Sequence, residues 1–221
     1  IPVRTITELR NWVNTNLRWR TPTGAFIESN FQSWLCRHRV PRSEDTWETS
    51  ATHMIIPHAC QTDSGGDIAS YVNQELPDLV TSYSHGNVRG VTREPNPEGY
   101  TLTVDSMGFT KPPIMFIHGC EVGGVDYNQQ SLMESYIGRT NGVVAFIGST
   151  RSHWDSRFSF TESIFNKGYL TLGEAFYRTK MSMVKEAYLP GKLVDNLFMF
   201  SLFGDPGLVT VAPTAKISVI P

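Results

Sequence analysis

One segment constrains the fold of this chain more than any other: the run Val143-Val144-Ala145-Phe146-Ile147, which is apolar on both faces. A strand open to water on one side alternates polar and apolar residues. A strand with no polar side belongs in a parallel sheet covered by helices on both faces. Comparable short runs precede it, at Thr52 to Ile56, at Leu79-Val80 within Asp78 to Ser84, and at Pro113 to Ile117. Helical patterns lie between and after them. Asp67 is placed to cap a helix that reaches Glu75 and stops at Pro77. A second runs from about Gln129 to Gly138 with Leu132, Met133, Tyr136 and Ile137 on one face. A third spans Leu172 to Tyr188 and bears Ala175, Phe176, Met183, Val184 and Ala187. This alternation over residues 52–190 predicts an α/β fold, a mostly parallel sheet flanked by helices on both faces.

The flanks are less regular. Thr5 to Leu17 reads as a helix, with Ile6, Leu9, Trp12, Val13 and Leu17 at helical spacing and Thr5 or Thr7 as N-cap. Residues 25–50 carry no periodicity that assigns them. Residues 1–60 are therefore read as an N-terminal helical and irregular segment, inside or outside the domain that spans 61–221. Val88 to Phe109 predicts a β-hairpin insert, with its turn at Glu94 to Gly99 and Tyr100 to Val104 alternating as an exposed strand. Leu197 to Phe203 is an apolar run ending at Gly204-Asp205-Pro206, and Leu208 to Ile220 alternates like a closing strand.

Composition narrows the function classes. The chain has 221 residues, is 40% hydrophobic and carries a formal net charge of -2. That balance gives no reason to expect nucleic acid or an anionic membrane as partner. No apolar run approaches the length of a bilayer span. Ile1 without a leader reads as a processed or artificially defined start. Cys36, Cys60 and Cys120 are too few, and odd in number, for a disulfide framework; Cys36 paired with Cys60 and all three reduced are both open readings.

Two of the strand candidates end in reactive residues: Ser84-His85-Gly86 after the first, and His118-Gly119-Cys120-Glu121 after the second. The carboxyl ends of parallel strands share one edge, where ligands and chemistry collect. A Cys and a His delivered there by separate strands can act as nucleophile and base. Cys120 is the candidate nucleophile and His85 the candidate base. His118 is a rival: alternation along an extended segment would put it on the same face as Cys120, but with little freedom to reach around the thiol. Plainer readings exist for each. A lone Cys is most often a small buried hydrophobe. His53, His58 and Cys60 have metal-ligand spacing but no evident fourth ligand. Gly204-Asp205-Pro206 reads as a structural turn. The loop Gly119 to Gly124 lacks the Lys-Ser/Thr of a phosphate loop, so nucleotide binding is not expected.

The order of these motifs resembles the gingipain-type cysteine peptidases, within the clan that includes caspases, legumains and clostripain. The resemblance rests on Ser84-His85-Gly86, Gly119-Cys120-Glu121, Gly142 to Thr150, Leu172-Gly173-Glu174-Ala175 and Leu202 to Pro206, and covers about residues 67–210. It implies a caspase-haemoglobinase-like sheet and a cysteine endopeptidase working through a Cys120–His85 dyad. It further implies an oxyanion hole from the Gly86 and Cys120 N–H groups, and substrate contacts from Glu121, Ser149, Thr150 and Trp154. A basic P1 residue is a family expectation that would need a carboxylate, for which Asp63, Asp67, Asp126 and Asp155 are candidates. No cofactor is expected; calcium supports folds of this family, but no acidic cluster marks a site. Partners would be protein or peptide substrates, with further domains outside this chain, and the location secreted or at the cell surface. Gly119 stands where the family commonly has Ala or Ser, and the first 60 residues are short beside the upstream lobe of gingipains. The same dyad would also serve a sortase-like transpeptidase, and a catalytically degenerate binding module is a third reading.

Overall fold

A computed structural model of the chain describes residues 3–19, 26–30, 53–55, 68–76, 79–83, 85–92, 102–152, 171–186 and 198–209. Four helices occur there: α1 (Ile6–Arg18), α2 (Ile68–Glu75), α3 (Leu132–Gly138) and α4 (Leu172–Glu186). The strands are β1 (Phe26–Asn30), β2 (His53–Ile55), β3 (Leu79–Tyr83), β4 (His85–Asn87), β5 (Gly90–Thr92), β6 (Leu102–Thr103), β7 (Ile114–His118), β8 (Ala145–Ser149) and β9 (Phe200–Phe203). Six of them form one sheet in the order β2-β1-β3-β7-β8-β9, and β4-β5-β6 form a second, smaller sheet. All neighbours in the large sheet are parallel except β8–β9.

The two-sided apolar runs are buried on both sides, as their composition predicts. Val80, Met115, Ile117 and Phe146 point to one face, where they pack with Ala69 and Val72 of α2 and with Leu132, Met133, Tyr136 and Ile137 of α3. Leu79, Ile114, Phe116, Ala145 and Ile147 point to the other, against Leu172 and Ala175 of α4. Successive residues thus alternate between two cores, the period-two rule of a strand. Burying each large side chain contributes about 1.5–3 kcal/mol, which makes the middle of the sheet the rigid base of the molecule.

Helix α1 departs from its sequence pattern. Ile6 (68%), Leu9 (42%), Val13 (40%) and Leu17 (78%) remain exposed, while Thr15 is fully buried. Of that stripe Trp12 packs against the core, and the helix docks otherwise through polar side chains. Asn11 Nδ2 donates to Gly138 O, Trp12 Nε1 to Val144 O, and Thr15 Oγ1 and Arg18 Nη2 to Thr140 O. Gly138 O and Thr140 O lie at and just after the C-terminal end of α3, where carbonyls lack helical partners, and Val144 O immediately precedes β8. Backbone carbonyls together with the packing of Trp12, and not the full apolar stripe, mark the face that α1 turns inward.

The other end of α3 is closed by a capping box. Ser131 Oγ accepts from Glu134 N, and the Glu134 carboxylate accepts from Ser131 N at 2.9 Å. Glu134 is 5% exposed and also receives Arg4 Nη2 at 2.9 Å. One carboxylate therefore holds both a helix start and the segment leading into α1. Glu134→Ala leaves Ser131 N–H without its acceptor and is expected to lower stability by about 1–3 kcal/mol. Urea unfolding should show a lower midpoint with an unchanged slope.

Three further features differ from the sequence expectation. β1 falls inside the stretch that carried no assignment, and it is an interior strand between β2 and β3. The strand expected at 143–147 starts at Ala145 and runs to Ser149, although Val143 and Val144 are equally buried. The insert after His85 is a three-stranded sheet, because His85–Asn87 itself pairs with β5. Leu102 and Val104 are buried and Thr103 between them is partly exposed, so the alternating stretch turns its apolar residues inward. The turn at 94–99, Asp63, Asp67, Trp154, Asp155, Cys36, His58, Cys60 and the tail after 209 lie outside the described residues.

Candidate active site

The register of the large sheet sets the geometry. Tyr83, the last residue of β3, is opposite His118, the last residue of β7. Neighbouring strands lie about 5 Å apart, so the chain leaves both strands level and side by side. Two residues further on, each segment carries its reactive group: His85 is exposed, and Cys120 is half-buried with a reduced thiol.

Close backbone contact brings the two segments together. A Cβ on Gly86 would lie 2.9 Å from Gly119 Cα and 3.1 Å from both Cys120 N and Cys120 O. A Cβ on Gly119 would lie 2.6 Å from Val91 Cγ1 and 3.0 Å from Val122 Cγ1. A side chain at Gly86 would collide with the Gly119 backbone, and one at Gly119 would have to displace the Val91 side chain, so glycines at both positions permit the close approach of the His85 and Cys120 segments. At Gly119, where the sequence resemblance predicts Ala or Ser, Val91 of the insert stands where a Cβ would go.

After Cys120 the chain turns sharply, and Glu121 adopts a left-handed conformation with φ 63°. The turn is tied to the end of β8. Glu121 N donates to Arg151 O at 3.2 Å and Gly123 N to Ser149 O at 2.9 Å. Ser152 Oγ donates to Glu121 Oε1 at 2.9 Å. Arg151 reaches Asp126 with both terminal guanidinium nitrogens, Nη1 and Nη2, at 3.0 and 2.7 Å. Those hydrogen bonds hold the Asp126 carboxyl below its usual range. Burial pushes the Tyr127 phenol up, with the neighbouring Glu121 carboxylate adding to it.

His118 occupies different surroundings. It is 4% exposed, with its ring 4.1 Å from that of Phe116 and 5.3 Å from that of Phe200, on the α4 side of the sheet. The strand ends at His118 and Cys120 sits in the turn, so the extended alternation that would align the two side chains does not continue to Cys120.

The remaining candidates divide. Glu121 is half-buried beside Cys120. Thr150 is tied by its N and Oγ1 to Met199 O, at 2.9 and 3.1 Å. Ser149 is fully buried and donates its hydroxyl to Arg151 O at 2.6 Å. Asp126, a candidate partner for a basic substrate, is already held by Arg151. Arg151 and Ser152 lie in the loop that follows β8, whose place beside the site the strand order implies, but no motif singled them out; their contacts with residues 121 and 126 come from the fold. Among the described residues no group of His, Cys, Asp and Glu is arranged to hold a metal ion, and no helix is long and apolar enough to cross a membrane.

A mostly parallel sheet with helices on both faces, carrying an imidazole and a thiol past two level strand ends, defines a caspase-like α/β protein. The chain belongs to peptidase family C25, the gingipain family, whose family model matches residues 27–211. Solved structures agree on the fold. The crystal structure of the Arg specific cysteine proteinase gingipain R (RgpB) superposes with a TM-score of 0.70 at 14% identity, covering 96% of this chain and 55% of that one. A complex of the pro- and mature domains of Porphyromonas gingivalis RgpB gives 0.67 at 15% identity, with 96% and 56% covered. A structure described only as a protease gives 0.68 at 13% identity. The chain spans little more than half the length of these structures. No curated protein sequence matches it.

Proposed function

We propose that this chain carries the nucleophile and base of a cysteine endopeptidase acting on protein or peptide substrates. The observation that carries the reading is the contact of Gly86 with the Gly119–Cys120 backbone, at the edge where Tyr83 and His118 end their strands level. In this reading His85 draws the proton from Cys120 and raises the thiolate fraction. The thiolate attacks the peptide carbonyl, His85 donates its proton to the leaving amine, and a thioester remains. Water, deprotonated by His85, then releases the acid and restores the thiol.

The oxyanion would be met by the N–H groups of Gly86 and Cys120. In an antiparallel ladder alternate residues turn their N–H away from the partner strand. Gly86, paired with Val91 one step out from the Asn87–Gly90 pair that closes the turn, is such a position. A basic P1 preference follows from the family and from the Arg specificity in the description of gingipain R. Asp126 is a poor candidate for its carboxylate, being neutralised by Arg151. Glu121 is the acid next to the nucleophile. Family membership also leads us to infer an enzyme that is secreted or held at the cell surface.

The test is a fluorogenic peptide panel varied at P1, run beside labelling by a peptidyl chloromethyl ketone with Arg or Lys at P1. The expected result is hydrolysis, with Cys120 modified faster than Cys36 or Cys60. Absence of both turnover and preferential labelling would overturn the reading.

A further inference from the structure

The turn that carries Cys120 is closed by Gly124 N donating to Glu121 O at 3.0 Å and tied to α3 by Met133 N donating to Val122 O at 3.0 Å. A non-glycine residue in the left-handed region is disfavoured by about 1–2 kcal/mol, and Glu121 adopts that conformation immediately after the nucleophile. Further restraint on the left-handed residue comes from across the sheet edge. Arg151 meets the turn twice: its carbonyl accepts from Glu121 N at the start, and its guanidinium grips Asp126 five residues later. The Arg151 carbonyl is itself fixed by Ser149 Oγ at 2.6 Å, and Arg151 Nη1 also donates to Thr150 O at 2.7 Å. We propose that Arg151 and Asp126 are positioning residues, a latch between the end of β8 and the 121–126 turn that holds Cys120 in its reactive placement. The inference rests on the peptidase reading above.

Two physical points separate this role from plain stabilisation. Both side chains are about half exposed, Arg151 at 51% and Asp126 at 58%, and exposed pairs contribute little to global stability. Placement of a nucleophile matters far more: an error of 1 Å can cost about 10²-fold in rate. A planar fork holds a carboxylate in a fixed direction, and a lysine ammonium does not. Neither residue is needed to touch the substrate, so the effect belongs in kcat.

The experiment compares kcat, KM and melting temperature for the wild type, Arg151→Ala, Arg151→Lys, Asp126→Asn and the Arg151→Ala/Asp126→Asn double variant. Each alanine or asparagine variant is expected to lose about tenfold in kcat with KM changed less than about twofold. The lysine variant should fall between these and the wild type. The double variant should be no worse than either single, since a latch can be opened only once, and melting temperatures should stay near that of the wild type. A wild type that is inactive and shows no preferential Cys120 labelling would overturn the peptidase reading itself. An active wild type with unchanged kcat in both singles, with losses that multiply in the double, or with a rise in KM that depends on substrate charge, would overturn the latch alone.

Discussion

Cys120→Ala is expected to abolish peptide hydrolysis, with kcat falling by about 10⁴-fold or more, while the protein keeps its fold. The size of the loss follows from covalent catalysis: without a nucleophile no acyl-enzyme forms, and only binding and the oxyanion donors act on the substrate. The fold is spared because Cys120 is half-buried in a turn, and the backbone contact to Gly86 involves no side chain at 120. Alanine has ordinary freedom there and removes only one sulfur atom. Turnover and circular dichroism measured on the same preparation check both halves. Turnover at the wild-type rate would remove Cys120 from the chemistry.

The two histidines should separate just as sharply. His85→Ala is expected to reduce kcat by about 10²–10⁴-fold, the usual worth of a positioned general base, with little change in melting temperature because His85 is exposed. His118→Ala should do the reverse. It removes a ring packed against Phe116 and Phe200 and leaves a cavity, so stability should drop by about 2–4 kcal/mol. Activity per folded molecule should remain within a few-fold of wild type. The opposite pattern, a stability loss for His85→Ala and a catalytic loss for His118→Ala, would hand the base role to His118.

The sequence pattern and the structure agree where a residue's role depends on its immediate neighbours. Runs without a polar face became strands covered on both sides, and Thr5 caps its helix through a hydrogen bond that spans three residues. They part where the role depends on distant partners. Ile6, Leu9, Val13 and Leu17 form a helical stripe that predicts an inward face, but carbonyls at Gly138, Thr140 and Val144, with the packing of Trp12, turn the helix the other way. Phe26–Asn30 is too short to announce itself, and becomes a strand between β2 and β3. His118 and His85 look alike in the chain, each followed by glycine. Only packing buries the first against aromatic rings and leaves the second exposed.

By itself the sequence determined the alternation of strand and helix, the strand ends at which His85 and Cys120 stand, and the ordered motifs of the family. These are encoded in stretches of five to fifteen residues, where apolar period and capping chemistry act locally. Tertiary structure decided the rest. The register that sets Tyr83 level with His118 and the close approach of Val91 to Gly119 both depend on separate segments meeting. So does the grip of Arg151 on Asp126, 25 residues away in the chain. Such contacts are properties of the packed molecule, because hydrogen bonding and van der Waals exclusion act at a few ångströms whatever the separation along the sequence.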